Sequence, residues 1–158
     1  MSKEKEEELI KVFYDCFARA DWKGMADCYG EDPFFYDPVF QDLQGPEVRA
    51  MWQLLLRGAK DLRVEVSDIH SDQGYGSCHW VATYTFPRTG RRVVNKGKAM
   101  LTIAGGKIVE HHDDFSLWNW SRQALGIPGL LFGWTPPLQN SIRRQARRNL
   151  STFMAKQP

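Results

Sequence analysis

The chain has 158 residues, 42% of them hydrophobic, which suits one domain with a single core and removes any need for disulfide or metal staples. Its 21 basic and 19 acidic residues leave a net charge of +2, too small to draw nucleic acid or a membrane by bulk electrostatics, so neither partner is expected. The first eight residues lack an apolar signal core, no window holds about 18 uninterrupted apolar residues, and Cys16, Cys28 and Cys78 show no Cys-x-x-Cys spacing, so a cytoplasmic protein with reduced core thiols is expected.

Leu9, Ile10, Phe13, Phe17 and Ala20 recur at three- and four-residue spacing behind a run of glutamates, which predicts a first helix. Asp21 is placed to cap a second, shorter helix through Met25 to Tyr29, and Glu31-Asp32-Pro33 is expected to end it before an aromatic strand from Phe34. Gly45-Pro46 opens a third helix with a stripe of Val48, Met51, Trp52, Leu55 and Leu56, stopped at Gly58. From Leu62 the period changes to two. Leu62 to Val66, Cys78 to Phe86, Val93 to Ile103 and Ile108 to Trp118 read as four successive strands, the last two joined by a turn at Gly105-Gly106. Helices gathered before such a meander predict an α+β domain, a curved antiparallel sheet wrapped around the helices with a pocket between them.

Two acids stand out. Asp37 lies in the run Phe34-Phe-Tyr-Asp-Pro-Val-Phe40, where burying an ionised carboxylate costs several kcal/mol unless it is paired, so the group is either well hydrogen-bonded or held with a raised pKa. A raised pKa suits a proton-transfer base. In Glu110-His-His-Asp-Asp-Phe115, strand alternation puts His111, Asp113 and Phe115 on one face and His112 and Asp114 on the other. His111 can pair with Asp113 and tune both across neutral pH, as catalytic groups or as a structural pair. The same alternation lets only two of these ligands converge at once, too few for a typical zinc site, so no metal is expected. Trp80, Ala82, Tyr84 and Phe86 share one strand face, with Trp52 and Phe17 able to close the interior end and Tyr36 and Tyr84 available as hydroxyl donors. An aromatic wall of this kind selects a small hydrophobic molecule over a sugar or nucleotide.

Asp21-Trp-Lys-Gly, Phe35-Tyr-Asp-Pro-Val-Phe, and Gly105-Gly-Lys-Ile-Val-Glu-His-His-Asp-Asp-Phe115, in this order, resemble the cone-shaped fold shared by nuclear transport factor 2, ketosteroid isomerase and the SnoaL-like polyketide cyclases. The resemblance runs from about Glu6 to Trp118 and implies a cofactor-free protein that dimerises through its outer sheet face. By the resemblance, Asp37 matches the general base of ketosteroid isomerases and Asp113 the catalytic acid of limonene-epoxide-hydrolase-like members, with His111 beside it facing the pocket. The isomerase partners do not carry over. Phe13 stands where that family has its oxyanion tyrosine, with Tyr14 one step round the helix, and Ala99 stands where it has a protonated acid. Steroid isomerisation is therefore disfavoured, and isomerase, cyclase or epoxide-hydrolase-like chemistry on a small ring or carbonyl compound is set against a non-catalytic binding or interaction domain.

Residues 1–118 are thus read as the cone domain and 119–158 as an extension packed on the same domain. Within the extension, Leu125 to Pro137 is apolar but broken by Gly and Pro and reads as irregular. Leu138, Ile142, Ala146, Leu150 and Phe153 then form a helical stripe flanked by arginines. Leu130, Leu131, Phe132 and Trp134 are placed either to lid the pocket or to meet a partner chain.

Overall fold

The structure, a computed structural model, describes residues 1–157. Helix α1 (Lys3–Ala18) starts where the Ser2 hydroxyl accepts from the Lys5 N–H, and acids fill its first turn. Asp21 caps α2 (Trp22–Cys28) by accepting from the Gly24 N–H at 3.0 Å. Gly45 takes φ +61°, a conformation that L side chains resist, and so turns the chain into α3 (Pro46–Leu56) with proline in the first turn.

The strands are β1 (Tyr29–Tyr36), β2 (Leu43–Gln44), β3 (Arg63–Asp72), β4 (Tyr75–Phe86), β5 (Arg91–Ala104) and β6 (Lys107–Phe115). They form one sheet in the order β2-β1-β6-β5-β4-β3. Strands β3 to β6 are the antiparallel meander expected from their alternation. The sheet as a whole is mixed, because β1 lies parallel to β6, with Phe35 opposite His111 and Tyr36 opposite His112. That pairing corrects the expectation of an antiparallel sheet; strands 70 residues apart in sequence leave no local signal of direction. Strand β1 also begins at Tyr29, before Glu31-Asp32-Pro33, and its register against β6 slips between Tyr29 and Phe34. Proline fits there because the slipped segment has no ladder bond to lose.

The curved sheet closes on α1 and α3. Ile10, Met25, Phe35, Val48 and Met51 are essentially inaccessible, and burying a side chain of this size contributes about 1.5–3 kcal/mol. Helix α1 is tied to β3 by the Ser71 hydroxyl, which donates to the buried Glu6 carboxylate. All three cysteines are free and buried, and burial pushes the Cys28 and Cys78 thiols up to about 11.

Ser116 ends β6 and caps α4 (Leu117–Leu125). The stretch expected to be irregular holds a short helix, α5 (Ile127–Phe132), whose Pro128 sits in the first turn where no N–H bond is required. Helix α6 (Pro136–Ala155) then returns across α3. Leu150 is buried, the Arg57 guanidinium lies 5.0 Å from the centre of the Phe153 ring, and Arg143 Nε donates to the Pro38 carbonyl at 2.9 Å. Among the described residues, no helix is long and apolar enough to cross a membrane.

Candidate active site

Alternation along β6 sends His111 and Asp113 into the cone and leaves His112 and Asp114 outside. The imidazole of His111 is fully buried between Phe13, Phe35 and Trp52, with ring centroids 5.4, 5.1 and 6.4 Å away. Its polar contacts form a chain. Trp52 Nε1 donates to Tyr29 Oη at 3.0 Å, Tyr29 Oη lies 2.7 Å from His111 Nδ1, His111 Nε2 lies 2.9 Å from Asp113 Oδ1, and Trp80 Nε1 donates to the same oxygen at 3.1 Å. An indole N–H can only donate, so Tyr29 accepts from Trp52, and its own hydroxyl hydrogen is free to go to Nδ1. In that arrangement the ring hydrogen on Nε2 points at Asp113.

Asp37 closes the end of β1. Its Oδ1 accepts from the Val39 N–H at 2.9 Å and the Phe40 N–H at 2.6 Å, the turn that Asp-Pro sequences favour. Burial nonetheless dominates and lifts its pKa to about 6; the bond from Phe40 opposes the rise, the charge of Asp113 adds to it, and the Val39 bond and His111 pull back. Asp37 and Asp113 therefore share one electrostatic neighbourhood, and both are nearly inaccessible.

A tyrosine joins them that the helical stripe did not single out. Tyr14 follows Phe13 on α1, and both are buried because the helix lies inside the curve of the sheet and is covered on more than one face. Its hydroxyl is the only buried side-chain oxygen or nitrogen among the described residues with no hydrogen-bond partner. Burial drives its pKa well above the usual tyrosine value, and the charge of Asp113 and the neighbouring Cys78 thiol add to the rise. Phe13 fills the place of the isomerase phenol on α1, but Tyr14 brings a hydroxyl to the same interior.

The remaining expected residues divide. Trp80 and Trp52 join the polar chain directly, and Phe17 packs on Trp52 at 5.1 Å. Phe115 lies edge-on to Trp80 at 6.0 Å. Tyr84 accepts from Trp120 Nε1 at 2.7 Å, and burial raises its pKa, with the charge of Asp37 among the causes. Phe86 packs against the same Trp120 at 5.3 Å, so α4 covers this part of the wall. Tyr36 does not join them. Parallel pairing places it over His112 on the opposite face of the sheet, where the rings lie 5.9 Å apart, and its inward neighbour is Phe35. Tyr29 was missed because its partner His111 is 82 residues away. The open surface concavities beside the α6 arginines and at the corner of α4 and α5 lie apart from these acids.

A helix-filled, curved six-stranded sheet with one inward acid just past β1 and another on β6 is an α+β cone of the nuclear transport factor 2-like superfamily. More closely, the chain belongs to the SnoaL-like domain family, whose model matches residues 10–111. Solved structures agree on the fold. A protein from Jannaschia sp. CCS1, described as a SnoaL-like polyketide cyclase, superposes with a TM-score of 0.69 at 16% identity over 80% of this chain and 95% of that one. An LEH-like epoxide hydrolase from M. tuberculosis gives 0.64 at 18% identity over 82% and 94%. A protein of ketosteroid isomerase-like fold from Catenulispora acidiphila DSM 44928, in complex with trimethylamine, gives 0.68 at 14% over 82% and 98%. No curated protein matches the chain.

Proposed function

We propose that the chain is a cofactor-free acid–base enzyme acting on a small apolar carbonyl or ring compound, with Asp37 as proton acceptor, Tyr14 as hydrogen-bond donor and the pair His111–Asp113 as the second acid–base group. The observation that carries this reading is a buried carboxylate at the end of β1 with a pKa raised to about 6, together with a second buried acid, Asp113, whose charge acts both on it and on the buried Tyr14 phenol. Such a carboxylate is ionised at neutral pH yet poorly solvated, which favours taking a proton from carbon.

For a carbonyl substrate, Asp37 removes the proton beside the carbonyl, the C–H electron pair forms the carbon–carbon double bond and the carbonyl π pair moves onto the enolate oxygen. Tyr14 donates to that oxygen without giving up its proton, because its pKa is far above neutrality. Protonated Asp37 then returns the proton to another carbon, or the enolate carbon bonds to a second carbonyl carbon and the alkoxide so formed takes the proton back from Asp37; neither route needs an oxidant or reductant. The reading also includes a homodimer across the outer sheet face, where Val94 and Met100 are exposed.

A second reading is a ligand-binding or interaction domain without turnover. It is favoured by the self-contained chain from Trp52 to Trp80, in which both nitrogens of His111 already have protein partners. The test is a panel of apolar ketones, polyketide-like diketones and epoxides with wild type, Asp37→Asn, Asp113→Asn and Tyr14→Phe. Turnover reduced at least a hundredfold by Asp37→Asn, with the fold intact, supports the enzyme; turnover unchanged in all three variants sinks the assignment. Mass spectrometry of small molecules retained through purification supplies the ligand class for either reading.

A further inference from the structure

We propose that the corner formed by α4 and α5 docks on the surface of an anionic phospholipid bilayer. Its side chains are arranged in the reverse of the usual globular order. Helix α5 meets α4 through glycine: a Cβ at Gly129 would overlap the Ser121 carbonyl, and one at Gly133 the Ser121 hydroxyl. The two backbones are therefore pressed together through their smallest residues, and the large apolar side chains are turned to solvent. Ile127 is 72% exposed, Phe132 57% and Trp134 63%, with Leu130, Leu131 and Trp118 exposed beside them. The indole N–H groups of Trp118 and Trp134 already donate to the Leu130 and Leu131 carbonyls, so the rings need no polar partner from outside.

Three arginines border one side of this apolar knob. Arg91, Arg92 and Arg122 surround one shallow concavity with Ile127 and Leu130. Among the described residues none of the three has an ion-pair partner, although Asp61, bonded to Thr85, feels the charge of Arg92. The sequence carries no acid after Asp114. Exposed Trp, Phe, Leu and Ile flanked by arginines are what an interfacial segment needs: the apolar groups enter the acyl boundary and the cations stay with the phosphates. A second copy of this chain fits less well, since a twofold contact centred here would bring the three arginines against their own images with only Asp61, already bonded to Thr85, near enough to offset them. The near-neutral total charge, from which no membrane partner was expected, averages over this asymmetry.

The test is co-sedimentation of the full chain with vesicles of phosphatidylcholine alone and with about 30% phosphatidylserine added, a content that sets up a negative surface potential. The expected result is binding to the anionic vesicles that falls with salt and is at least tenfold weaker in Leu131→Ser/Phe132→Ser. Arg92→Gln/Arg122→Gln should bind roughly 25-fold more weakly, about fivefold per cation. All substituted side chains are exposed, and a thermal melt checks the fold; Ile127→Ser/Trp134→Ser replaces the first variant if it melts early. No binding to anionic vesicles, equal binding to both vesicle types, or binding unchanged in the apolar variant overturns the proposal. So does a dimer, seen by light scattering, that the apolar variant abolishes while wild type ignores vesicles. None of these outcomes bears on turnover, so the acid–base reading stands or falls separately.

Discussion

His111 Nε2 stands 2.9 Å from Asp113 Oδ1, and Trp80 Nε1 donates to the same oxygen at 3.1 Å. Both donors converge on one lobe of the carboxylate. The two contacts hold Asp113 and link β4, β6 and, through Tyr29 and Trp52, also β1 and α3. Disturbing any member is therefore expected to be felt at the acids.

Asp37→Asn should make the protein more stable at high pH and change little at low pH. The folded-state pKa of Asp37 is raised from 3.8 to about 6, so the folded protein holds this proton more tightly than the unfolded chain. Stability is then greatest below the unfolded value and falls as pH rises through about 6. A gap of about two units corresponds to roughly 3 kcal/mol at pH 8. Asparagine retains an oxygen for the Val39 and Phe40 N–H groups and removes the charge. Urea unfolding at pH 4 and pH 8 checks this; a variant no more stable than wild type at pH 8 contradicts it.

Asp113→Asn should lower the pKa of Asp37. The charge of Asp113 is one of the causes holding Asp37 up, and the substitution removes it while leaving an oxygen for His111 and Trp80. Carbon-13 titration of the Asp37 carboxyl reports the shift. A pKa that stays put or rises would mean that the two acids do not interact.

Tyr29→Phe should cost about 1–3 kcal/mol, because the Trp52 N–H and His111 Nδ1 both lose their partner where all three side chains are buried. Equilibrium unfolding measures the loss, and the His111 side-chain nitrogen resonances should change. A variant as stable as wild type would show that the chain of bonds is broken in solution.

Gly97→Ala should displace Trp80. These residues are paired across β4 and β5, and a Cβ on Gly97 would overlap the indole ring. Overpacking of this kind costs about 1–3 kcal/mol, and here it also pulls an N–H donor from Asp113. The near-ultraviolet circular dichroism of the tryptophans and the melting temperature should both change. An unaltered spectrum would show that the strand absorbs the methyl group.

Local patterns carried much of this architecture. The spacing of Ile10, Phe13 and Phe17, the Asp21 cap and the proline-led α3 are short-range signals, and strict alternation put His111 and Asp113 on the inner face. The failures are non-local. Tyr36 was misplaced because the inward parity of β1 depends on its pairing with β6, which no residue near Tyr36 encodes. Tyr14 escaped because a helix cradled by a curved sheet buries adjacent positions, beyond a single stripe. Helix α5 looked like a broken segment because its glycines read as breakers, whereas Gly129 and Gly133 serve as close-packing residues against Ser121.

The parallel alignment of Phe35 with His111 has a consequence for variation in this fold. Asp37 and Asp113 each lie two positions beyond that pair, so the ladder sets their facing together. Connections between residues 38 and 107 can lengthen or shorten without separating them. A slip of one residue in β1 would instead turn Asp37 outward and bring Tyr36 in, leaving Asp113 without its neighbour. Parity of a short stretch of hydrogen bonds, more than the identity of the surrounding loops, is what any descendant sequence must preserve to keep two acids in one interior.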